Sequence, residues 1–265
     1  MTRRSVATVL PALVLAVAIL AAWELYVRAA GVRPQVLPAP TRVLTEGWAF
    51  RDLIWQHTLP TLGETALGFS LALLVGTVTA TAIDFSRLVR RALYPALVAS
   101  QTIPVVAVAP LLVLWFGFGI APKALVVALV TFFPITVGWV DGFASAERGT
   151  ANLLRSMGAS RWQVFRLARM PGALPSFFSG LRIAITYAVV GAIFAEYVGA
   201  KRGLGIFMQL QQNSFRTDLV MAAVVVTAAI SVSLFLATYA VERAAIPWHA
   251  AARAARTSQG SEARR

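Results

Sequence analysis

AERGTANLLRSMGASRWQVFRLARMPGALP, residues Ala146 to Pro175, is a basic segment set between two long apolar runs. It carries Arg148, Arg155, Arg161, Arg166 and Arg169 against a single acidic residue, Glu147. An arginine at the centre of a membrane helix costs about 2.5–3.5 kcal/mol on insertion scales. Such a segment therefore belongs at a membrane surface, and the runs on either side of it decide the fold.

Those runs are long. The chain of 265 residues is 58% hydrophobic and only 13% charged, with a mean hydropathy of +0.72, outside the range of soluble domains. A hydrocarbon core roughly 30 Å thick needs about 20 apolar residues per helix. Six runs meet that length: Val6 to Val27, Thr61 to Ile83, Ala92 to Phe116, Ala124 to Phe143, Phe177 to Val198 and Leu219 to Val241. The expected fold class is all-α integral membrane, with about six transmembrane helices in one domain over residues 1–265. Arg3 and Arg4 ahead of the first run also fit a signal peptide, but the run continues to Trp23 and Tyr26 without a clear cleavage site.

Six spans leave both termini on one side, and Lys/Arg placement identifies that side as the cytoplasm. With the amino terminus inside, Arg28, Arg33, Arg42, Arg51, Lys123, Lys201, Arg202 and Arg216 fall on outer segments, and the other 16 of the 24 basic residues lie inside. The net charge of +13 is thus a topological signal. Nucleic-acid binding would need a soluble basic face with aromatic platforms, and the sequence has none. The absence of cysteine excludes disulfides, thiolate metal sites and cysteine nucleophiles.

Within the inner segment, Ala151 to Met157 is helix-compatible and Gly158 suits a left-handed helix end. Ser160 with Gln163 fits a capping box that starts a second helix, predicted to stop at Met170 before Pro171 and Pro175. Trp162, Phe165, Arg166 and Arg169 fall at i, i+3, i+4 and i+7, on one face of that helix. At about ten residues it is too short to span. Its aromatic and basic face suits either anionic lipid or a groove on a soluble partner.

On the outer side, Gly31 to Pro60 opens with Pro34, Pro38 and Pro40. Val43, Leu44, Trp48, Leu53, Ile54 and Trp55 then suggest a short surface helix. Pro104 and Pro110 interrupt the third run and Pro134 the fourth. In lipid, broken backbone persists where neighbours or a cavity satisfy it, so these prolines mark either simple kinks or the edge of a solute path. Gln101, Tyr187 and Glu196 are the polar groups near helices expected to border such a path. Glu196 stands either on it or at the outer interface, and Arg182 is expected to snorkel to the headgroups.

GASRWQVF from Gly158, closed by Ala168-Arg169-Met170-Pro171, resembles the cytoplasmic loop of binding-protein-dependent ABC importer permeases. That pattern reads EAA, three residues, Gly, nine residues, Ile, one residue, Leu-Pro. Gly158 and Pro171 stand at its spacing, with Ala168 and Met170 in the Ile and Leu places. Asn152, Leu153 and Leu154 replace EAA, a departure common in the nitrate, sulfonate and taurine branch, so no role of the pattern's Glu carries over. The similarity extends through Leu37-Pro38-Ala39-Pro40, Ile103-Pro104, Ala109-Pro110-Leu111, Trp115-Phe116-Gly117-Phe118-Gly119, and Glu196 with Gly199 and Gly203-Leu204-Gly205. Within the branch, Ser100-Gln101-Thr102-Ile103-Pro104, Thr131-Phe132-Phe133-Pro134-Ile135, Pro175-Ser176-Phe177-Phe178-Ser179-Gly180 and Ser214-Phe215-Arg216-Thr217-Asp218 look most like permeases for thiamine-precursor pyrimidines.

The resemblance implies the type I ABC importer permease fold in a bacterial inner membrane, crossing it several times. It implies two permease subunits, expected as a homodimer in membrane lipid, two cytoplasmic ATPase subunits and an external solute-binding protein. The chain has no Gly-x-x-x-x-Gly-Lys-Ser/Thr motif, so it is expected to be no enzyme and to bind no cofactor, ATP being used by the partner. Gly158, Ala159, Ser160, Arg161, Trp162 and Phe165 are the expected ATPase-coupling residues. Gln101, Pro104, Tyr187 and Glu196 are the expected substrate path. The solute alternatives are aliphatic sulfonate, taurine or nitrate. A secondary transporter would show paired repeats and more membrane-embedded ionisable groups. A membrane enzyme would need a catalytic constellation, whereas the two histidines, His57 and His249, lie on opposite predicted sides.

Overall fold

The computed structural model describes residues 3–145 and 148–247, and all regular structure there is helical. The helices are α1 (Arg3–Ala29), α2 (Pro40–Ala49), α3 (Arg51–Phe85), α4 (Arg87–Ser100), α5 (Val105–Phe116), α6 (Ile120–Ser145), α7 (Arg148–Ser156), α8 (Arg161–Val164), α9 (Met170–Gly199), α10 (Leu204–Asn213) and α11 (Thr217–Ala245). A π-helical turn, Phe165–Arg169, joins α8 to α9. Among the described residues, five helical segments are long and apolar enough to cross a membrane. A sixth crossing requires α4 and α5 together, and these are bent by 101°.

That bend corrects the continuous third span expected from Ala92 to Phe116. Pro104 stands at the amino end of α5 in extended conformation, with φ −69° and ψ 111°. A residue preceding proline is pushed out of the helical region, so the helix stops at Ser100. Pro110 and Pro134 lie inside α5 and α6 and break neither. The surface helix α2 is present, but Leu53, Ile54 and Trp55 belong to α3, which starts ten residues before the expected span and contains Pro60.

The chain divides into two compact units, Met1–Pro60 with Lys201–Ala228, and Thr61–Ala200 with Ala229–Arg265. In the first, the Glu24 carboxylate accepts from Thr41 N at 3.0 Å and Thr41 Oγ1 at 2.8 Å. It thereby supplies the amino end of α2 with the side-chain cap that Ala39 lacks. Asp218 accepts from Arg42 at 3.1 Å and Arg216 at 3.0 Å, and Arg216 also reaches Glu46 at 2.8 Å. Arg42 and Arg216, both assigned to outer segments from sequence, are therefore tied to carboxylates.

The second unit is organised on α6 against α9. Between apolar helices in lipid, close backbone approach replaces hydrophobic driving force, and small residues permit it. A Cβ on Gly180 would lie 2.3 Å from Pro134 O, and one on Gly142 would lie 2.6 Å from Ala173 O. Trp139 fills the adjacent core, its ring 4.1 Å from Phe177 and 5.4 Å from Phe143, with Nε1 donating to Thr77 Oγ1 at 3.1 Å. Gly180→Val should therefore force α6 and α9 apart against backbone atoms that cannot yield. The expected result is inserted but misassembled protein, read as loss of the monodisperse peak in size-exclusion chromatography. An unaltered peak would refute tight packing at this crossing.

Candidate functional site

The inner loop is built from two complementary helix ends. α7 closes in a Schellman motif: Gly158 has φ +84°, Ala159 N donates to Leu154 O at 2.9 Å and Gly158 N to Arg155 O at 3.0 Å. Three residues beyond Met157 the chain restarts. Gln163 N donates to Ser160 Oγ at 3.3 Å and Ser160 N donates to Gln163 Oε1 at 2.7 Å, the expected capping box. Gly158 is needed here because its positive φ is costly for any residue with a Cβ, and no side chain comes within 4 Å of where that Cβ would stand. Glu147 and Ala146, the start of the sequence segment, lie outside the described residues.

Beyond the capping box one expectation is corrected. The helix does not stop at Met170; Arg161–Gly199 is one helical segment of 39 residues. Pro171 follows directly on the π turn, inside this continuous segment, and does not end it. Trp162, Phe165 and Arg169 turn toward the same end of α3, where both rings meet Phe85 and Arg169 meets Asp84. Trp162 is 59% exposed, whereas Phe165 is 6% exposed in the core. Their rings stack at 5.5 Å, and Phe165 continues to Phe85 at 5.0 Å and Phe143 at 5.3 Å. Arg169 Nη1 donates to both oxygens of Asp84 at 2.6 Å, joining the π turn to the end of α3. Leu153, Met157 and Leu167 are exposed beside Trp162 in the chain, leaving an apolar surface on the loop.

A second feature is a cavity of about 650 Å³ walled by the α4–α5 break, α6 and α9. Gln101 and Tyr187, both expected on the solute path, line it together with Ser100, Phe133, Asp141 and Ser176. The break that opens it is the consequence of Pro104, although Pro104 itself is not in the wall. Glu196 is elsewhere and belongs to neither expected setting: it is fully buried and accepts from Thr61 Oγ1 at 2.6 Å. Its side chain lies beside Glu64, whose carboxylate pairs with Lys123 at 2.5 Å. Lys123, expected on an outer segment, is 9% exposed. Arg182 does not snorkel to headgroups; it pairs with Glu242 and donates to Ser179 Oγ at 3.1 Å.

Asp141, Asp84, Glu64 and Lys123 were the functional candidates missed from sequence. Asp141 had a usable signal, being the only acidic residue in the fourth apolar run, where ionisable groups mark function by default. The pairing of Asp84 with Arg169 and of Glu64 with Lys123 joins residues 85 and 59 positions apart, beyond any local pattern.

Comparison with known proteins follows the same lines. Residues 68–247 match the family described as binding-protein-dependent transport system inner membrane component. The chain is 38% identical over 227 residues to the formylaminopyrimidine transport permease protein ThiX of Halalkalibacterium halodurans, covering 85% of this chain and 90% of that one. It is also 38% identical over 230 residues to the riboflavin transport system permease protein RibX of Chloroflexus aurantiacus, covering 86% of each. A chain of the MetNI methionine ABC transporter, solved in inward-facing conformations, superposes with a TM-score of 0.65 at 17% identity over 74% of this chain and 98% of that one. That likeness establishes the shared fold.

Proposed function

The chain belongs to the family of binding-protein-dependent transport system inner membrane components; it is the multi-pass inner-membrane permease subunit of an ABC importer, and we propose that its solute is a thiamine-precursor pyrimidine. The observation that carries the solute assignment is the 38% identity to ThiX over 227 residues. The cargoes named for ThiX and RibX are both nitrogen heteroaromatics, and a cavity of about 650 Å³ with amide, hydroxyl and aromatic walls is of the size and character that suit such a solute.

In this proposal two copies of the chain form the pathway, and each receives an ATPase subunit on its inner loop. Gly158, Ala159, Ser160 and Arg161 shape the docking turn, with Trp162 entering the partner's groove and Phe165 anchoring it from below. Closure of the ATPases around ATP pushes this loop and favours the outward-facing state, coupling the nucleotide and solute equilibria. ATP hydrolysis resides on the ATPase subunits. An external binding protein delivers the solute, which passes Gln101 and Tyr187.

The test is ATP-dependent uptake of labelled hydroxymethylpyrimidine by vesicles holding the complete importer, with taurine, nitrate and riboflavin as competitors. Saturable uptake that resists all three is the expected result. Transport of taurine, nitrate or riboflavin without pyrimidine uptake would overturn the solute assignment and leave the importer architecture standing.

A further inference from the structure

Among the described residues, Asp141 is the only charged residue in the wall of the α4–α5, α6 and α9 cavity. It is exposed and makes no salt bridge among the described residues. Among the described residues no Lys or Arg lines the cavity. Behind the wall, the Arg182 guanidinium donates to the lining residue Ser179 at 3.1 Å. Its charge is already matched by Glu242. The neutral polar groups available to a solute are Ser100, Gln101, Ser176 and Tyr187, and Phe133 offers a ring face.

A concave site bounded by low-dielectric walls focuses the field of whatever fixed charge it holds, and here that charge is negative. An anion entering the cavity would lose hydration and find no cation to replace it. A neutral or protonated heteroaromatic with N–H donors would meet a carboxylate acceptor, an amide and hydroxyls. From this we propose that Asp141 sets the charge selectivity of the cavity, admitting neutral and cationic amino-substituted nitrogen heteroaromatics and rejecting sulfonates and nitrate. The inference rests on the reading that the solute passes this cavity. It adds a selectivity step inside the membrane, separate from whatever the binding protein selects outside.

The absence of cysteine from the chain makes the field measurable directly. Single reporters Gln101→Cys and Ser176→Cys are placed on the cavity wall of the complete importer in vesicles. Their modification rates are measured with a trimethylammonium methanethiosulfonate and a sulfonate methanethiosulfonate. Each rate is scaled to the same reagent on a free thiol, and labelling is read on the permease band. The expected scaled preference for the cationic reagent is about tenfold, the size of a unit charge acting a few ångströms away in a partly hydrated site. Asp141→Asn should bring the ratio close to one, Asp141→Lys should invert it, and Asp141→Glu should retain it. A ratio that is the same in all four backgrounds overturns the proposal. Protection of Ser176→Cys by saturating hydroxymethylpyrimidine during ATP turnover is measured in parallel. Loss of protection with the charge-dependent ratio intact would refute the solute-path reading and leave the selectivity of the cavity established.

Discussion

Lys123→Met is expected to destabilise the permease by about 3–5 kcal/mol, the cost of removing one member of a buried ion pair. Lys123 sits in the first turn of α6 with its ammonium 2.5 Å from Glu64 of α3. Glu64 is 3% exposed and Lys123 9% exposed. The fully buried Glu196 from the end of α9 is beside them. Removing the cation leaves Glu64 unpaired next to a second carboxyl group, away from water, where neither Coulomb attraction nor hydration offsets the burial. The methionine itself fits the aliphatic stem, so the loss is electrostatic. The variant Glu64→Gln/Lys123→Met removes both charges and should regain most of the stability. Thermal unfolding of the purified complex in detergent measures all three proteins. A single variant no less stable than the double would show that the pair is not coupled.

Trp162→Ala is expected to lower ATP-driven uptake at least tenfold, with the basal ATPase rate retained and the permease still inserted. A large aromatic exposed to 59% on a rigid turn has the character of an interface anchor, and such residues typically cost 2 kcal/mol or more when truncated. Its position is fixed from below by stacking on Phe165 at 5.5 Å, so the indole is presented with little entropy left to lose. Phe165→Ala should behave differently. It empties a core site between Phe85 and Phe143 and should cost about 3–5 kcal/mol of stability. Uptake per ATP hydrolysed, with copurification of the ATPase, separates the two effects. Unchanged uptake in Trp162→Ala would remove Trp162 from the docking surface.

The inner loop is largely legible in the sequence, because its signals are local. Gly158 ends α7 and the Ser160–Gln163 box begins α8 through bonds that span at most five residues, and sequence spacing reports such bonds directly. The continuation through the π turn after Val164 into α9 leaves no comparable local trace. Pro104 marked the break that opens the cavity, and Gln101 and Tyr187 were recognised as polar residues in apolar surroundings. Their convergence on one cavity with Asp141 depends on how α6 and α9 cross, which is set by Gly180 against Pro134 and by Gly142 against Ala173.

Sequence alone determined that this chain is a bundle of membrane helices with a basic, capped inner loop, since hydropathy, Lys/Arg placement and helix capping are properties of consecutive residues and need no partner. Tertiary structure decided which charges are paired and which stand free. Glu64 meets Lys123, Asp84 meets Arg169 and Arg182 meets Glu242, while Asp141 is left facing a cavity. Those outcomes rest on contacts between residues far apart in the chain, which no pattern of consecutive residues reports.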